Sequence, residues 1–282
     1  MKVNIINYEQ GFNNGILTKF AVKLHEELLK LGVDSKVTNT PDPKADINHH
    51  VNYLPYKHTD TKNTLMITHI WEGYKLDSLK QSMKTADVGI CFSSIVPKEL
   101  SALGLPKDKL TYVLPAHDER PRRHQVVAIL TNVYPDGCKR EQMFIDLVKT
   151  LDYNKWAFRI MGSGWENILA PLVADGLQVD YFHDFDKDIH DKIIDSSDYA
   201  LYFGMDEGSM GLLDACNAGL KTIGTPQGFH LDMGLDYSFT TQKELNAIFA
   251  KLSENRVKDW TWTSHAKSHV EIWDRLLKTK NG

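Results

Sequence analysis

Short apolar runs alternate with amphipathic stretches along nearly the whole chain, and this rhythm constrains the fold more than any other feature. KVNIINY (2–8) is an apolar run too short for an ordinary helix and reads as a buried strand. In residues 15–31, Ile16, Phe20, Leu24 and Leu28 recur at helical spacing, and Gly32 is a natural stop. VDSKVTN (33–39) is a second strand, followed by the breaker-rich TPDPKAD (40–46). TLMITHI (64–70), a helix over 74–85, VGICFS (88–93), a helix over 96–103 and LTYVL (110–114) continue the pattern. Such alternation predicts parallel strands joined by crossover helices.

PAHDERPRRHQ (115–125) breaks the rhythm with two prolines, a cluster of charges and no apolar face, and reads as an interdomain linker. Beyond it the alternation restarts. VVAILTN (126–132), WAFRIMG (156–162), LQVDYF (177–182), YALYFG (199–204) and KTIGT (221–225) are strand-like. Helices are predicted over 139–151, 165–175, 187–196, 210–218, 242–253 and 262–278. A chain of 282 residues fits two domains, 1–118 and 119–261, each a doubly wound α/β layer.

Composition narrows the function. Hydrophobic residues at 42% are enough to bury a core. Thirty-three basic against 37 acidic residues give a net charge of −4, which argues against coating nucleic acid or an anionic membrane. No run approaches the roughly 18 apolar residues of a membrane span. The N-terminus lacks the basic, apolar and cleavage regions of a signal peptide. Cys91, Cys138 and Cys216 are odd in number and far apart, as expected of reduced thiols in a cytoplasmic protein.

The segment richest in chemistry is YFGMDEGSMGLLDACNAGLKTIGT (202–225). A strand ends near Gly204, the loop carries Asp206 and Glu207, and Gly208 and Gly211 flank a helix start. Exposed N–H groups at a helix N-terminus suit phosphate, and glycines let a ligand approach the backbone. Acids beside such a site accept hydrogen bonds from sugar or ribose hydroxyls. Together these describe a nucleotide-sugar site. A plain strand–turn–helix with acids at the helix start accounts for the same spacing, and spacing alone leaves both readings open.

This stretch resembles the C-terminal signature of retaining glycosyltransferases of GT-B fold, the large glycosyl transferases group 1 family. That signature has two acids eight positions apart around a glycine loop, then a helix ending in small residues. Asp206 and Asp214 have that spacing, whereas EGSMGLLDA resembles the same loop begun at Glu207 and one residue short. The resemblance implies that Glu207 or Asp206 contacts the donor sugar and Asp214 the ribose hydroxyls. Segments in the family's order extend the likeness over nearly the whole chain. TNVYPDGCKREQMFIDLVKTL (131–151) resembles the segment with a basic residue at the donor diphosphate, which makes Lys139 and Arg140 candidates. FRIMGSG (158–164) is similar to the family's Gly-x-Gly turn, and TPQGFHLDM (225–233) to its glycine turn followed by an acid. QGFNNGILTKF (10–20) resembles the loop before the first helix, where Asn14 and Gly15 would meet phosphate. In TLMITHIWEG (64–73), His69 takes the place of a histidine that faces the donor sugar. The helix over 262–278 resembles the closing helix that crosses back to the N-terminal domain, which extends that domain by residues 262–282.

The implied protein is α/β with GT-B architecture, two Rossmann-like domains facing a cleft. It would move a sugar from a nucleoside-diphosphate donor to an acceptor hydroxyl, with retention. Catalytic candidates are His69, Glu207 and Lys139, and substrate-binding candidates are Asn14, Gly15, Arg140, Asp206, Gly208, Ser209, Met210 and Asp214. No cofactor is expected. FHDFDKDIHDK (182–192) holds Asp184, Asp186 and Asp188, an Asp-x-Asp pattern that could hold a divalent cation, but acids also favour the helix start that follows, and no metal is expected. The acceptor is open among glycan, lipid, small molecule, protein and modified nucleic acid. Arg120, Arg122 and Arg123 read first as a solvated linker, and they leave room for an anionic acceptor, peripheral membrane contact or nucleic-acid backbone. The alternative is a non-catalytic protein of the same fold that binds a sugar nucleotide or a partner.

Overall fold

The structure, a computed structural model, describes residues 1–9, 15–68, 70–71, 73–121 and 123–279. The chain divides into two compact units, Met1–Arg120 with Val257–Gly282, and Pro121–Arg256. In the first unit the order is β1 (Lys2–Ile6), α1 (Ile16–Lys30), β2 (Asp34–Thr38), β3 (Ile47–His50), β4 (Lys62–Met66), α2 (Tyr74–Thr85), β5 (Val88–Cys91), α3 (Val96–Ala102) and β6 (Leu110–Tyr112). All its strands are parallel, in the order β2-β1-β3-β4-β5-β6.

The second unit runs β7 (Gln125–Leu130), α4 (Glu141–Val148), β8 (Trp156–Met161), α5 (Glu166–Ala174), β9 (Gln178–Phe182), α6 (Lys187–Asp195) and β10 (Tyr199–Tyr202). It continues α7 (Met210–Asn217), β11 (Lys221–Gly224), α8 (His230–Met233), β12 (Tyr237–Ser238) and α9 (Gln242–Leu252). Its parallel sheet has the order β12-β11-β10-β7-β8-β9. The chain winds outward from β7 in one direction, then crosses to β10 and winds outward in the other. The reversal between β7 and β10 is a topological switch point, and ligands of open α/β sheets bind outside the carboxyl ends of strands at such a point.

Helices cover both faces of each sheet, so the strands are apolar on both sides. Val127, Ile129, Phe158, Ile160 and Leu201 pack with Phe144, Trp165 and Phe249 on one face of the second unit. Ala128, Met161, Ala200 and Tyr202 pack with Ile193 and Leu212 on the other. The final helix α10 (Trp262–Lys278) returns to the first unit. Its buried stripe, Trp262, His265, Ala266, His269, Ile272 and Trp273, follows the helical period and packs with Val3, Ile5, Phe20 and Leu24. Trp262 Nε1 donates to Asp118 at 3.1 Å, and Trp273 Nε1 to Thr64 Oγ1 at 3.2 Å. The aromatics of α10 are therefore packing anchors.

Several elements differ from the sequence expectation, among them α8 and β12, which were not anticipated. The strand expected over 64–70 spans Lys62–Met66. The helix expected from 139 begins at Glu141, because Arg140 takes a left-handed backbone (φ 49°) that interrupts the helix. The unanticipated β3 lies between β1 and β4 in the sheet.

Candidate functional site

The switch point brings the chain after β7 against the chain after β10. Lys139 follows β7 by way of a turn, and Asp206 follows β10. Lys139 Nζ lies 2.5 Å from Asp206 Oδ2 and donates to Tyr202 Oη at 2.9 Å. Tyr202 Oη in turn donates to the Asp206 carboxylate, with oxygens at 2.6 and 2.7 Å. The Lys139 and Asp206 side chains are only 15% and 23% exposed, so this is no solvated surface pair. Burial disfavours both charges, but the mutual hydrogen bonds outweigh it, raising the Lys139 pKa and lowering that of Asp206. Burial, then the bond to the Asp206 carboxylate, push the Tyr202 phenol up to about 12. At neutral pH the cluster is an ammonium, a carboxylate and a neutral phenol.

Arg140 does not join this cluster. Its Nε donates to the Phe203 carbonyl at 2.6 Å, so it ties the end of β10 to the start of α4. Its Nη2 is buried without a hydrogen-bond partner. Of the two adjacent cations, Lys139 alone meets the loop acids.

The 205–209 loop is clasped by the turn after β11. Thr225 Oγ1 donates to the Gly204 carbonyl at 2.8 Å, and Phe229 N to the Glu207 carbonyl at 3.0 Å. Gly208 has φ 123°, and a Cβ there would meet the Phe229 ring at 2.7 Å, so the position takes only glycine. His230, 1% exposed, accepts from Ser209 N at Nε2 (2.9 Å), and its Nδ1 lies 3.0 Å from the Thr225 carbonyl. Nε2 is the acceptor, so the proton sits on Nδ1, which donates to that carbonyl.

Backbone amides at 208–210 were the expected phosphate donors. Gly208 N already donates to Asp206 Oδ1 at 3.1 Å, and Ser209 N to His230. The Ser209 hydroxyl caps α7 by accepting from Leu212 N at 3.2 Å. Among the described residues, the N–H groups of Met210 and Gly211 in the first turn have no protein acceptor. They are the open donors of this helix end. Met210 is also exposed.

Of the two adjacent acids, Asp206 is engaged as above, and the Glu207 side chain is exposed. Asp214 stands apart, in a groove between α6 and α7, with Oδ2 3.8 Å from His190 Nε2. In the first unit, Gly15 is the N-cap residue of α1, and a Cβ there would run into the Glu9 carboxylate at 2.7 Å. Asn14 and His69 lie outside the described residues. Asp184 and Asp186 of the 182–192 segment have local partners. Asp186 caps α6 by accepting from Ile189 N at 3.0 Å, and Asp184 pairs with His183 at 2.8 Å. Asp188 falls in the first turn of α6. No group of three or more potential metal ligands gathers among the described residues.

Sequence reasoning passed over Tyr202 and His230. Tyr202 ends an apolar strand and reads as core, yet its hydroxyl joins Lys139 and Asp206. The signal for His230 was its place in the glycine turn TPQGFHLDM.

No protein-family model matches the sequence, and no curated protein matches it. Among solved structures, the chain is similar to Alr3699/HepE of Anabaena in complex with UDP-glucose, at 13% identity over 99% of each chain with a TM-score of 0.39. It is similar to a glycosyltransferase from Rickettsia africae at 12% identity, over 100% of this chain and 99% of that one, with a TM-score of 0.39. It is also similar to the lipopolysaccharide outer core galactosyltransferase WaaB, at 13% identity over 98% of this chain and 100% of that one, with a TM-score of 0.38. Among the described residues, no helix is long and apolar enough to cross a membrane.

Proposed function

We infer that this chain transfers a sugar from a nucleoside-diphosphate donor to an acceptor hydroxyl. The observation that carries the reading is the meeting of Lys139 with the 205–211 loop at the point where the strand order of the second unit reverses. The motif order of the sequence supports the same reading. Breaking the glycosidic bond to a diphosphate leaves negative charge on the leaving oxygens. A fixed ammonium and two open N–H groups at a helix end are suited to stabilise that charge. Glu207, exposed and adjacent, would orient the sugar hydroxyls, and Asp206 would position Lys139. Retention follows from the family resemblance. With Lys139 supplying the positive charge, the reaction needs no divalent cation.

A second reading has its own observation. The amides of Gly208 and Ser209 are satisfied within the loop, which suits a protein of this fold that binds a sugar nucleotide, or a partner, without turning it over. A thermal-shift screen against a panel of nucleotide sugars identifies the donor, since a ligand stabilises in proportion to its affinity and concentration. Donor turnover is then compared between the wild type and Glu207→Ala, with and without a chelator. The transferase reading expects wild-type turnover that survives chelation and a loss of about a hundredfold in the variant. Binding without turnover in the wild type establishes the second reading.

A further inference from the structure

The first unit carries its own cavity, of a different character. It has a volume of about 290 Å³ and lies past the carboxyl ends of β4 and β5, against the start of α1. Eight of its ten described lining residues are aliphatic or aromatic, which sets the class of ligand it can take. Phe20 and Phe92 stack with ring centroids 4.8 Å apart and both line it. Ile67 and Val96 also line it, and the polar side chains among its described lining residues are the hydroxyls of Thr68 and Ser93. Two lining residues are largely in solvent, Ile16 at 58% and Trp71 at 65% exposed. Nearby in the chain, Tyr74 and Ile95 are 65% and 61% exposed. Single exposed apolar residues are ordinary, but several beside an apolar cavity mark a binding surface.

We propose that this cavity binds the body of the acceptor, and that this body is an aromatic alcohol or phenol, not a sugar. A hexose brings a hydroxyl on nearly every carbon, and each one buried without a partner keeps the full cost of its lost hydration. The two side-chain hydroxyls among the described lining residues cannot satisfy such a ligand. An aryl ring instead meets Phe20, Phe92 and Trp71, where stacking adds to the burial of apolar area. The ligand's one hydroxyl then has Thr68 and Ser93 within the same cavity. The volume sits at the small end of ligand pockets, which fits one or two fused rings. The word acceptor rests on the transferase reading, whereas the cavity's preference for an aryl alcohol does not.

Titration calorimetry of the full chain with 2-naphthol, and separately with methyl β-glucopyranoside, tests the proposal. Saturable binding of 2-naphthol is expected, with none of the glucoside. Trp71→Ala removes a mostly exposed side chain without opening the core and is expected to weaken 2-naphthol binding about tenfold. Val96→Trp, which fills the cavity, is expected to abolish it, with circular dichroism confirming the fold of both variants. The proposal is overturned if 2-naphthol fails to saturate, if neither variant changes its affinity, or if the glucoside competes with it. Nucleotide-sugar turnover is measured on the same samples. 2-Naphthol binding without turnover sinks the transferase reading alone, and turnover onto a sugar without 2-naphthol binding sinks this proposal alone.

Discussion

The two units share a sheet plan, and each buries histidine within it, but His230 of the second and the pair His49 and His269 of the first are held in different ways. In the second unit, His230 is 1% exposed and both ring nitrogens are bonded, one to Ser209 N and one to the Thr225 carbonyl. In the first, His49 and His269 are 1% and 0% exposed, and the Nε2 of each is buried without a partner. Their rings meet edge to face at 5.0 Å between centroids, beneath Trp273. The carboxyl edges differ as well: a charged cluster beyond β7 and β10, and an apolar cavity beyond β4 and β5. Burial by itself thus says little about a polar residue's work. What matters is whether its partners hold a loop in place, as those of His230 do, or leave one ring nitrogen unpaired in a core, as at His49 and His269.

The comparison breaks most easily at Lys139. If the charged cluster is built for a diphosphate, Lys139→Ala should lower donor kcat/KM by about 10²–10³-fold, the size of loss seen when one oxyanion donor is removed. Steady-state donor consumption measures it. An unchanged value would make the cluster a structural tie and erase the functional contrast between the units.

Acid sharpens the contrast next. Desolvation lowers the pKa of His49 to about 3 and of His50 to about 4, and it also lowers those of His265 and His269. Unfolded histidines titrate near 6.5, so below that pH the unfolded chain binds more protons than the folded one. The stability these groups contribute is complete above pH 6.5 and drains away as pH falls toward their folded values. By pH 4.5 the first unit should lose on the order of a few kcal/mol. The carboxylates whose pKa values hydrogen bonds lower, such as Glu27, Asp206, Asp236 and Glu244, keep their contribution until lower pH. Hydrogen exchange at pH 7 and 4.5 should show β3, β4 and α10 losing protection before β7 and β10. His269→Leu should flatten the pH dependence by about one proton. Simultaneous loss in both units would contradict the assignment.

These histidines also mark where sequence reading stops. Ile47–His50 reads INHH, with neither alternation nor an apolar run, yet it forms β3 beside β1. Asn48 is satisfied there by Asn4, Thr61 and the Asp42 backbone, partners that no apolar pattern reveals. The apolar strands, by contrast, were legible because burial on both faces leaves a near-continuous hydrophobic run. In the candidate site, the glycine loop was legible from residue type and spacing, whereas Lys139 came only from the family resemblance, which offered Arg140 equally. The division of labour between Asp206 and Glu207 was not legible, because adjacent acids differ only in which one the fold turns toward Lys139. Nor was the left-handed Arg140, whose conformation turns its guanidinium to Phe203.

That division gives the smallest predicted effect and the most specific. Asp206→Asn keeps the side chain's shape and removes its charge. Lys139 then keeps the Tyr202 hydroxyl but loses its counter-ion, which should cost the unliganded protein about 1–2 kcal/mol, less than stripping a fully buried pair because both side chains retain some exposure. A nucleoside diphosphate now meets an ammonium with no internal rival, and the Gly208 amide faces a neutral oxygen in place of a carboxylate. Its affinity should rise several-fold, about 1 kcal/mol, and its thermal shift should grow beyond that of the wild type. The lower starting stability and the larger ligand-induced shift must appear together. If affinity falls instead, Asp206 touches the donor directly, and Asp206 and Glu207 exchange roles.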